Sequence, residues 1–268
     1  MSAFPSGIFV VLAVCALLSA VGFYKFVYFL SVGYGFAVAG AGIAVVCLYG
    51  GQMTWVSVAL CAMFVVYGVR LGGFLLWREH RSASYRKTLD RATGAGKPMP
   101  VFVKIAIWAC VAALYTMQTS PVLYRAANGD RGGVMPVVGL AVMIAALILE
   151  SAADRQKSAA KAANPGRFCD TGLFRIVRCP NYFGEILFWT GVLLSGVGAL
   201  EGAGQWIVAV LGYVLIVYVM LSGAKRLELR QNKNYGGDPA YRAYVEKTPI
   251  LFPFVPLYHL DKAGFIKS

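Results

Sequence analysis

The sequence predicts an all-α polytopic membrane protein with seven transmembrane helices, its N-terminus outside and its C-terminus cytoplasmic. Three observations carry this. Of 268 residues, 59% are hydrophobic and 14% charged, with a mean hydropathy of +0.65, far too apolar for a soluble domain of that length. The apolar residues fall in runs of about 20, the length that crosses a hydrocarbon core. The basic residues gather in loops that alternate helices would place on one side.

Taken in order, the predicted spans are Gly7 to Tyr24, Leu30 to Tyr49, Trp55 to Trp77, Val101 to Leu123, Gly133 to Leu149, Phe183 to Leu200 and Trp206 to Leu221. The first run has no basic stretch before it and no small-residue cleavage site, so it is expected to be a retained helix. Lys25 separates the first two spans, and Gly50-Gly51 the next two. These short joints predict antiparallel neighbours. After the third span comes REHRSASYRKTLDRATGAGKPMP, a strongly basic loop. With that loop in the cytoplasm, Lys25, the segment from Glu150 to Glu185 and the tail share its side. The opposite side keeps only Arg125 and Arg131. The tail is rich in aromatic residues and proline, so it is expected to pack back on the cytoplasmic face.

The net charge of +13 is accounted for by these loops, and no nucleic-acid partner is expected. Cys15, Cys47, Cys61 and Cys110 lie in apolar runs as small hydrophobes, and Cys169 and Cys179 lack CxxC spacing. With His80 and His259 the only histidines, no protein-bound metal is expected.

Ionisable groups within a span are costly and usually face the bundle interior. Arg70 lies inside the third span with Tyr67 one turn before it. Glu150 ends the fifth span with Asp154 a turn beyond, and Glu185 opens the sixth a turn after Asn181. An interior role for Arg70 is preferred to snorkelling, because it sits about two turns inside Arg78. Asp154, Lys157 and Lys161 share one face of a helix continuing from the fifth span. Either this is a solvated face, or it joins Arg167, Arg175 and Arg178 in a basic cluster for a phosphate-bearing ligand. No G-x-G-x-x-G or Walker pattern occurs, so such a phosphate would be held by side chains.

The motifs E-x-x-x-D-x-Q-K from Glu150, N-P-G-R-F-x-D-T-G-L-F-R from Asn164, R-C-P-N-Y-F-G-E from Arg178 and T-P-I-L-F-P-F from Thr248 occur in that order. The last 120 or so residues thereby resemble the steroid 5-alpha-reductase C-terminal domain family, in its bacterial DUF1295-like membrane branch. The resemblance implies one integral membrane domain over residues 1–268, with substrate-side helices in 1–123 and a cofactor-binding region in 133–258. It implies a monomeric, multi-pass protein of the bacterial inner membrane, in contact with lipid, with its active site open to the cytoplasm. The implied activity is NADPH-dependent reduction of the carbon–carbon double bond of a 3-oxo-4-ene steroid or similar lipid enone. By position, Asp154, Arg167, Asn181 and Glu185 would hold the nicotinamide and ribose, and Arg70, Lys161 and Arg226 the phosphates, with Tyr235 a further contact. Tyr67 would hydrogen-bond the substrate ketone. The family has asparagine where this chain has Glu150, and pairs the tyrosine with a glutamate in the loop between the second and third helices. Here that loop reads YGGQMTW, leaving Gln52 as the group able to donate to a carbonyl.

Two other readings stand beside this one. An S-adenosylmethionine-dependent methyltransferase of the isoprenylcysteine carboxyl methyltransferase type would share an R-x-P-x-Y-x-G-E turn, but usually has histidine at the position of Cys179. A lipid-binding or transport bundle would spread polar residues through mid-membrane, whereas here they gather at helix ends.

Overall fold

The structure, a computed structural model, describes residues 4–81, 99–130, 132–261, 263–264 and 266. Most of the basic loop after the third span (82–98), and Arg131, lie outside the described residues. Among the described residues every regular element is helical. The α-helices are α1 (Ser6–Ser19), α2 (Val32–Tyr49), α3 (Trp55–Arg81), α4 (Val101–Ala127), α5 (Val134–Ala163), α6 (Pro180–Gly196), α7 (Gly202–Tyr235) and α8 (Pro239–Lys247).

Among the described residues six helices are long and apolar enough to cross a membrane: α1 with the 3-10 turn that follows it, α2 with its own 3-10 turn, and α3, α4, α5 and α7. The sequence predicts seven, and the difference is α6. It has 17 residues, about 25 Å of helix against a hydrocarbon core of about 30 Å. Pro180 fixes its start, and beyond Gly196 the chain turns through Gly198 at φ 81° instead of continuing to Leu200.

The chain divides into two compact units. The first comprises Met1–Leu140 and Gly191–Tyr213, the second Ala141–Thr190 and Val214–Ser268.

In the first unit, α2 and α3 approach backbone to backbone. A Cβ on Gly68 would lie 2.1 Å from the Gly35 carbonyl oxygen, and one on Gly42 would lie 2.7 Å from the Cys61 oxygen. Lipid gives apolar helices no hydrophobic reason to associate, so close van der Waals contact through small residues holds this pair. Within α4, Pro121 removes the N–H that would reach the Met117 carbonyl, and the Ser120 hydroxyl donates to that oxygen instead at 2.8 Å.

Polar ties close both ends of this unit. At one, Glu79 takes the Lys25 ammonium at 2.8 Å and the Tyr28 hydroxyl at 2.7 Å. Burial and then the Glu79 carboxylate push the Tyr28 hydroxyl up to about 12, so it stays a donor at neutral pH. At the other, buried Asp130 adopts φ 40° and accepts from the Ser57 hydroxyl at 2.7 Å and the Thr54 N–H, with Arg125 Nε at 3.4 Å. Asn128 donates to the Ala199 carbonyl and to Gln205 Oε1, both at 2.8 Å. The connections after α4 and after α6 therefore share an end.

In the second unit the tail packs back as expected. Ile250, Leu251, Leu260 and Ile266 are buried with Cys179 and Ile186 of the α6 region. The Arg178 and Cys179 N–H groups donate to the Pro249 and Ile250 carbonyls at 2.9 and 3.0 Å. Asp238 caps α8 by accepting from the Ala240 N–H, and Pro239 occupies the first helical position.

Replacing Gly68 by alanine should lower stability by about 2 kcal/mol, since backbone must move to admit the methyl group. A Cβ on Gly73 meets nothing within 4 Å. Gly73→Ala should therefore be neutral or stabilising, and thermal unfolding of the two variants in detergent measures the contrast.

Candidate functional site

The segment from Glu150 to Glu185 folds entirely within the second unit. Its first part continues α5 without a break to Ala163, so Asp154, Lys157 and Lys161 do share a helical face. Its last part opens α6, with Asn181 in the first turn and Glu185 one turn on. Gly184 joins the two parts. A Cβ there would lie 2.5 Å from Glu150 Cγ and 3.3 Å from the Ala146 oxygen, so only glycine lets α6 approach α5 this closely. Glu150, Asp154, Asn181 and Glu185 are thereby gathered at one helix–helix contact.

Within this contact Glu150 and Glu185 are buried, and Glu185 Oε1 accepts the Trp189 indole N–H at 2.8 Å. Asn181 Oδ1 is buried and has no hydrogen-bond partner among the described residues, and the same holds for the Ser222 hydroxyl on α7. Tyr182 lies over Gly223, next to Ser222. Burial pushes the Cys179 thiol up to about 12, against the opposing fields of Lys157 and Arg178. Cys179 is thus an inert packing group.

A second cluster lies where α5 ends, about two turns from Asp154. The Lys161 ammonium donates to the Pro165 oxygen at 3.2 Å, the Arg167 oxygen at 2.5 Å and the Tyr235 hydroxyl at 2.7 Å. Lys161, the Arg167 backbone and Tyr235 are brought together, with all three ammonium hydrogens engaged. The Arg167 guanidinium is half-exposed, pairs with Asp170 at 2.7 Å and lies 5.1 Å from the Phe168 ring. Phe168 is buried against Tyr235, Tyr241 and Tyr244, and the Tyr244 hydroxyl donates to the Phe174 carbonyl at 2.7 Å. Burial pushes the Tyr241 hydroxyl up to about 12 and raises that of Tyr244 further, so both remain neutral donors.

Arg178 departs from the expected phosphate cluster. It is 2% exposed and donates to Glu228 Oε1 at 2.8 Å and to the Tyr258 carbonyl. The other Glu228 oxygen accepts the Leu260 and Asp261 N–H groups at 2.7 and 3.0 Å. Arg178 therefore locks the tail, while Arg167 and Arg175 stay exposed. Arg226 is also exposed. Its neighbour Lys225 is buried and donates to the Ala263 and Ile266 carbonyls at 2.9 and 2.8 Å. Among the described residues Glu228, His259 and Asp261 bring possible metal-ligating atoms within 4.8 Å of one another, but Arg178 already neutralises Glu228.

Gln52, Tyr67 and Arg70 belong to the first unit. Tyr67 is fully buried, its ring 5.9 Å from that of Tyr34, and Arg70 is half-buried a turn later. Gln52 is exposed and donates to the Ala126 carbonyl at 3.3 Å. Tyr67 lies twelve residues into α3, about 18 Å from the helix start beside Gln52. The resemblance sets these two residues at one carbonyl, and the length of α3 keeps them apart.

With this geometry established, the chain can be placed. A family model described as a protein of unknown function, DUF1295, matches residues 16–248. The chain belongs to the DUF1295 family. No curated protein and no solved structure matches it.

Three polar groups of this DUF1295 chain escape sequence reasoning. Ser222, Lys225 and Glu228 sit where α7 turns from apolar to charged, and their i, i+3 spacing is the only local signal of a shared face. The partners of Lys225 and Glu228 are peptide groups of the tail or the distant Arg178, which no local pattern reveals.

Glu228→Gln removes the charge that balances buried Arg178 and should cost about 3 kcal/mol or more in thermal unfolding. Limited proteolysis should then cleave the chain after Tyr258, where the wild type resists.

Proposed function

We propose that this protein is a membrane reductase that uses NADPH to reduce the carbon–carbon double bond of a 3-oxo-4-ene steroid or similar lipid enone. The observation that carries the reading is the α5–α6 contact. Three acids and an amide converge there, and Asn181 presents a buried acceptor with no partner among the described residues. A nicotinamide carboxamide offers the N–H donors such an acceptor needs, and ribose hydroxyls are natural partners for carboxylates. Lys161, Arg167 and Tyr235, about two turns further along α5, supply positive charge and hydroxyl hydrogen for phosphates. The residues present therefore fit the cofactor.

In this reading Asp154, Arg167, Asn181 and Glu185 hold the nicotinamide and ribose, and Lys161 and Arg226 meet phosphates. The cofactor, when bound, supplies a hydride. Tyr67 donates a hydrogen bond to the substrate ketone and stabilises the negative charge that develops on its oxygen during reduction. A proton delivered to the alpha carbon by water or a nearby acid completes the addition. The buried surroundings of Tyr67 exclude bulk water and strengthen that hydrogen bond.

We further infer a seven-span topology, with α6 as a short crossing, the N-terminus outside and the C-terminus in the cytoplasm of a bacterial inner membrane. It is supported by the shared end of the α4 and α6 connections, to which α6 returns, and by the one-sided distribution of lysine and arginine. The protein acts as a monomer in this reading.

The methyltransferase alternative separates cleanly by ligand. NADPH should raise the thermal midpoint of purified protein, and Asp154→Ala and Asn181→Ala should each abolish that rise. Tyr67→Phe should keep the rise and lose at least about a hundredfold in turnover. Stabilisation by S-adenosylmethionine and not by NADPH would sink the reductase reading.

A further inference from the structure

The first unit holds a polar group that neither the motifs nor the proposed chemistry uses. Gln118 on α4 is 2% exposed, and neither its Oε1 nor its Nε2 has a hydrogen-bond partner among the described residues. An amide side chain left this way inside an apolar helix bundle is strongly unfavourable, because no lipid or apolar neighbour replaces the water it gave up.

The nearby polar residues of α4 are accounted for otherwise. Thr116 donates to the Ala112 carbonyl at 2.9 Å, Thr119 to the Tyr115 carbonyl at 2.9 Å and Ser120 to the Met117 carbonyl at 2.8 Å. Each hydroxyl returns its hydrogen to its own helix, as serine and threonine do in membrane spans. Glutamine is too long to do the same without folding back on itself, and it does not. Gly212 packs so closely on α4 that a Cβ would lie 2.6 Å from the Met117 carbonyl carbon and 2.8 Å from the Gln118 backbone nitrogen. The helix is thus fixed in place, and the amide cannot relieve itself by turning α4.

Gln118 faces the same way as Tyr115, three residues earlier. The Tyr115 ring lies 4.9 Å from that of Tyr34, which lies 5.9 Å from that of Tyr67. α3 and α4 share an end, since Gln52 reaches Ala126 there. Tyr67 is twelve residues from that end along α3 and Tyr115 twelve along α4, so the three tyrosines form one buried layer. Gln118 stands one turn beyond this layer, about 4.5 Å toward the Asp130 end.

An amide both donates and accepts, and so does a hydroxyl. A ketone would satisfy Nε2 alone, and a hydrocarbon neither atom. We propose that Gln118 is a specificity-determining contact for an apolar ligand of the first unit, pairing both amide atoms with a hydroxyl on an otherwise hydrocarbon skeleton. The inference deepens the reductase reading and rests on it for the ring system of the ligand.

The test uses three 3-oxo-4-ene steroids that carry a hydroxyl, a ketone or only hydrogen on the five-membered ring, added without cofactor to the purified protein in detergent. The hydroxyl compound should raise the thermal midpoint of the wild type at a concentration about tenfold or more below that needed for the hydrogen compound, with the ketone between them. Gln118→Leu and Gln118→Met should erase the difference and raise the midpoint of the ligand-free protein, because an unsatisfied buried amide is gone. Equal response of the wild type to all three steroids overturns the proposal. A lower ligand-free midpoint in both variants also overturns it, since the amide would then be serving the fold, through a bound water or otherwise. The NADPH shift, read on the same samples, should be the same in wild type and variants. Its absence in the wild type would count against the reductase reading, while the steroid comparison would still judge Gln118.

Discussion

A polar group placed among apolar helices must find its partner inside the chain, and most of this structure follows from that constraint. It explains why Ser120 stands beside Pro121, taking the carbonyl that proline leaves unbonded. It explains why Asp130 gathers a hydroxyl, a peptide N–H and an arginine at one end of the first unit, and why Glu79 gathers a lysine and a tyrosine at the other. Between such ties the helices are held by contact alone, and contact at this distance needs glycine. Gly35 and Gly68 bring α2 to α3, and Gly184 brings α6 to Glu150. Where no partner lies among the described residues, at Asn181 Oδ1, the Ser222 hydroxyl and the Gln118 amide, the same constraint calls for a ligand or a water.

The two clusters of the second unit divide the work differently from what charge alone suggests. Lysine and arginine are plentiful there, but the buried ones serve the fold. Arg178 and Lys225 hold the tail, while half-buried Lys161 meets two carbonyls and Tyr235 at the turn after α5. The exposed ones, Arg167, Arg175 and Arg226, keep their charge at the surface, where a polyanion would first meet the protein.

Much of this was readable from residue order. The apolar runs give the long helices, because membrane length translates directly into residue count. The spacing of Asp154, Lys157 and Lys161 gives the extension of α5 beyond its apolar part, and the aromatic tail announces its own burial. The length of α6 was not readable. The run from Phe183 to Leu200 carries no charge after Glu185, and its end is set by the positive φ of Gly198, which hydropathy does not register. The role of Arg178 was hidden for another reason: its partner Glu228 is fifty residues away, on a helix whose charged end resembles any solvated face. Gln52 came in through the family's loop glutamate, and its separation from Tyr67 shows only when twelve residues of helix are converted into distance.

The tail clamp has a consequence for how this protein can vary. Lys225 reaches the peptide oxygens of Ala263 and Ile266, Arg178 that of Tyr258, and Glu228 the peptide nitrogens of Leu260 and Asp261. A main-chain group is the same whatever side chain it carries. The grip therefore reads spacing along the tail instead of spelling. Substitutions at Tyr258, Asp261 or Ala263 leave every handhold in place, whereas deleting or inserting one residue between Pro249 and Tyr258 shifts them all at once.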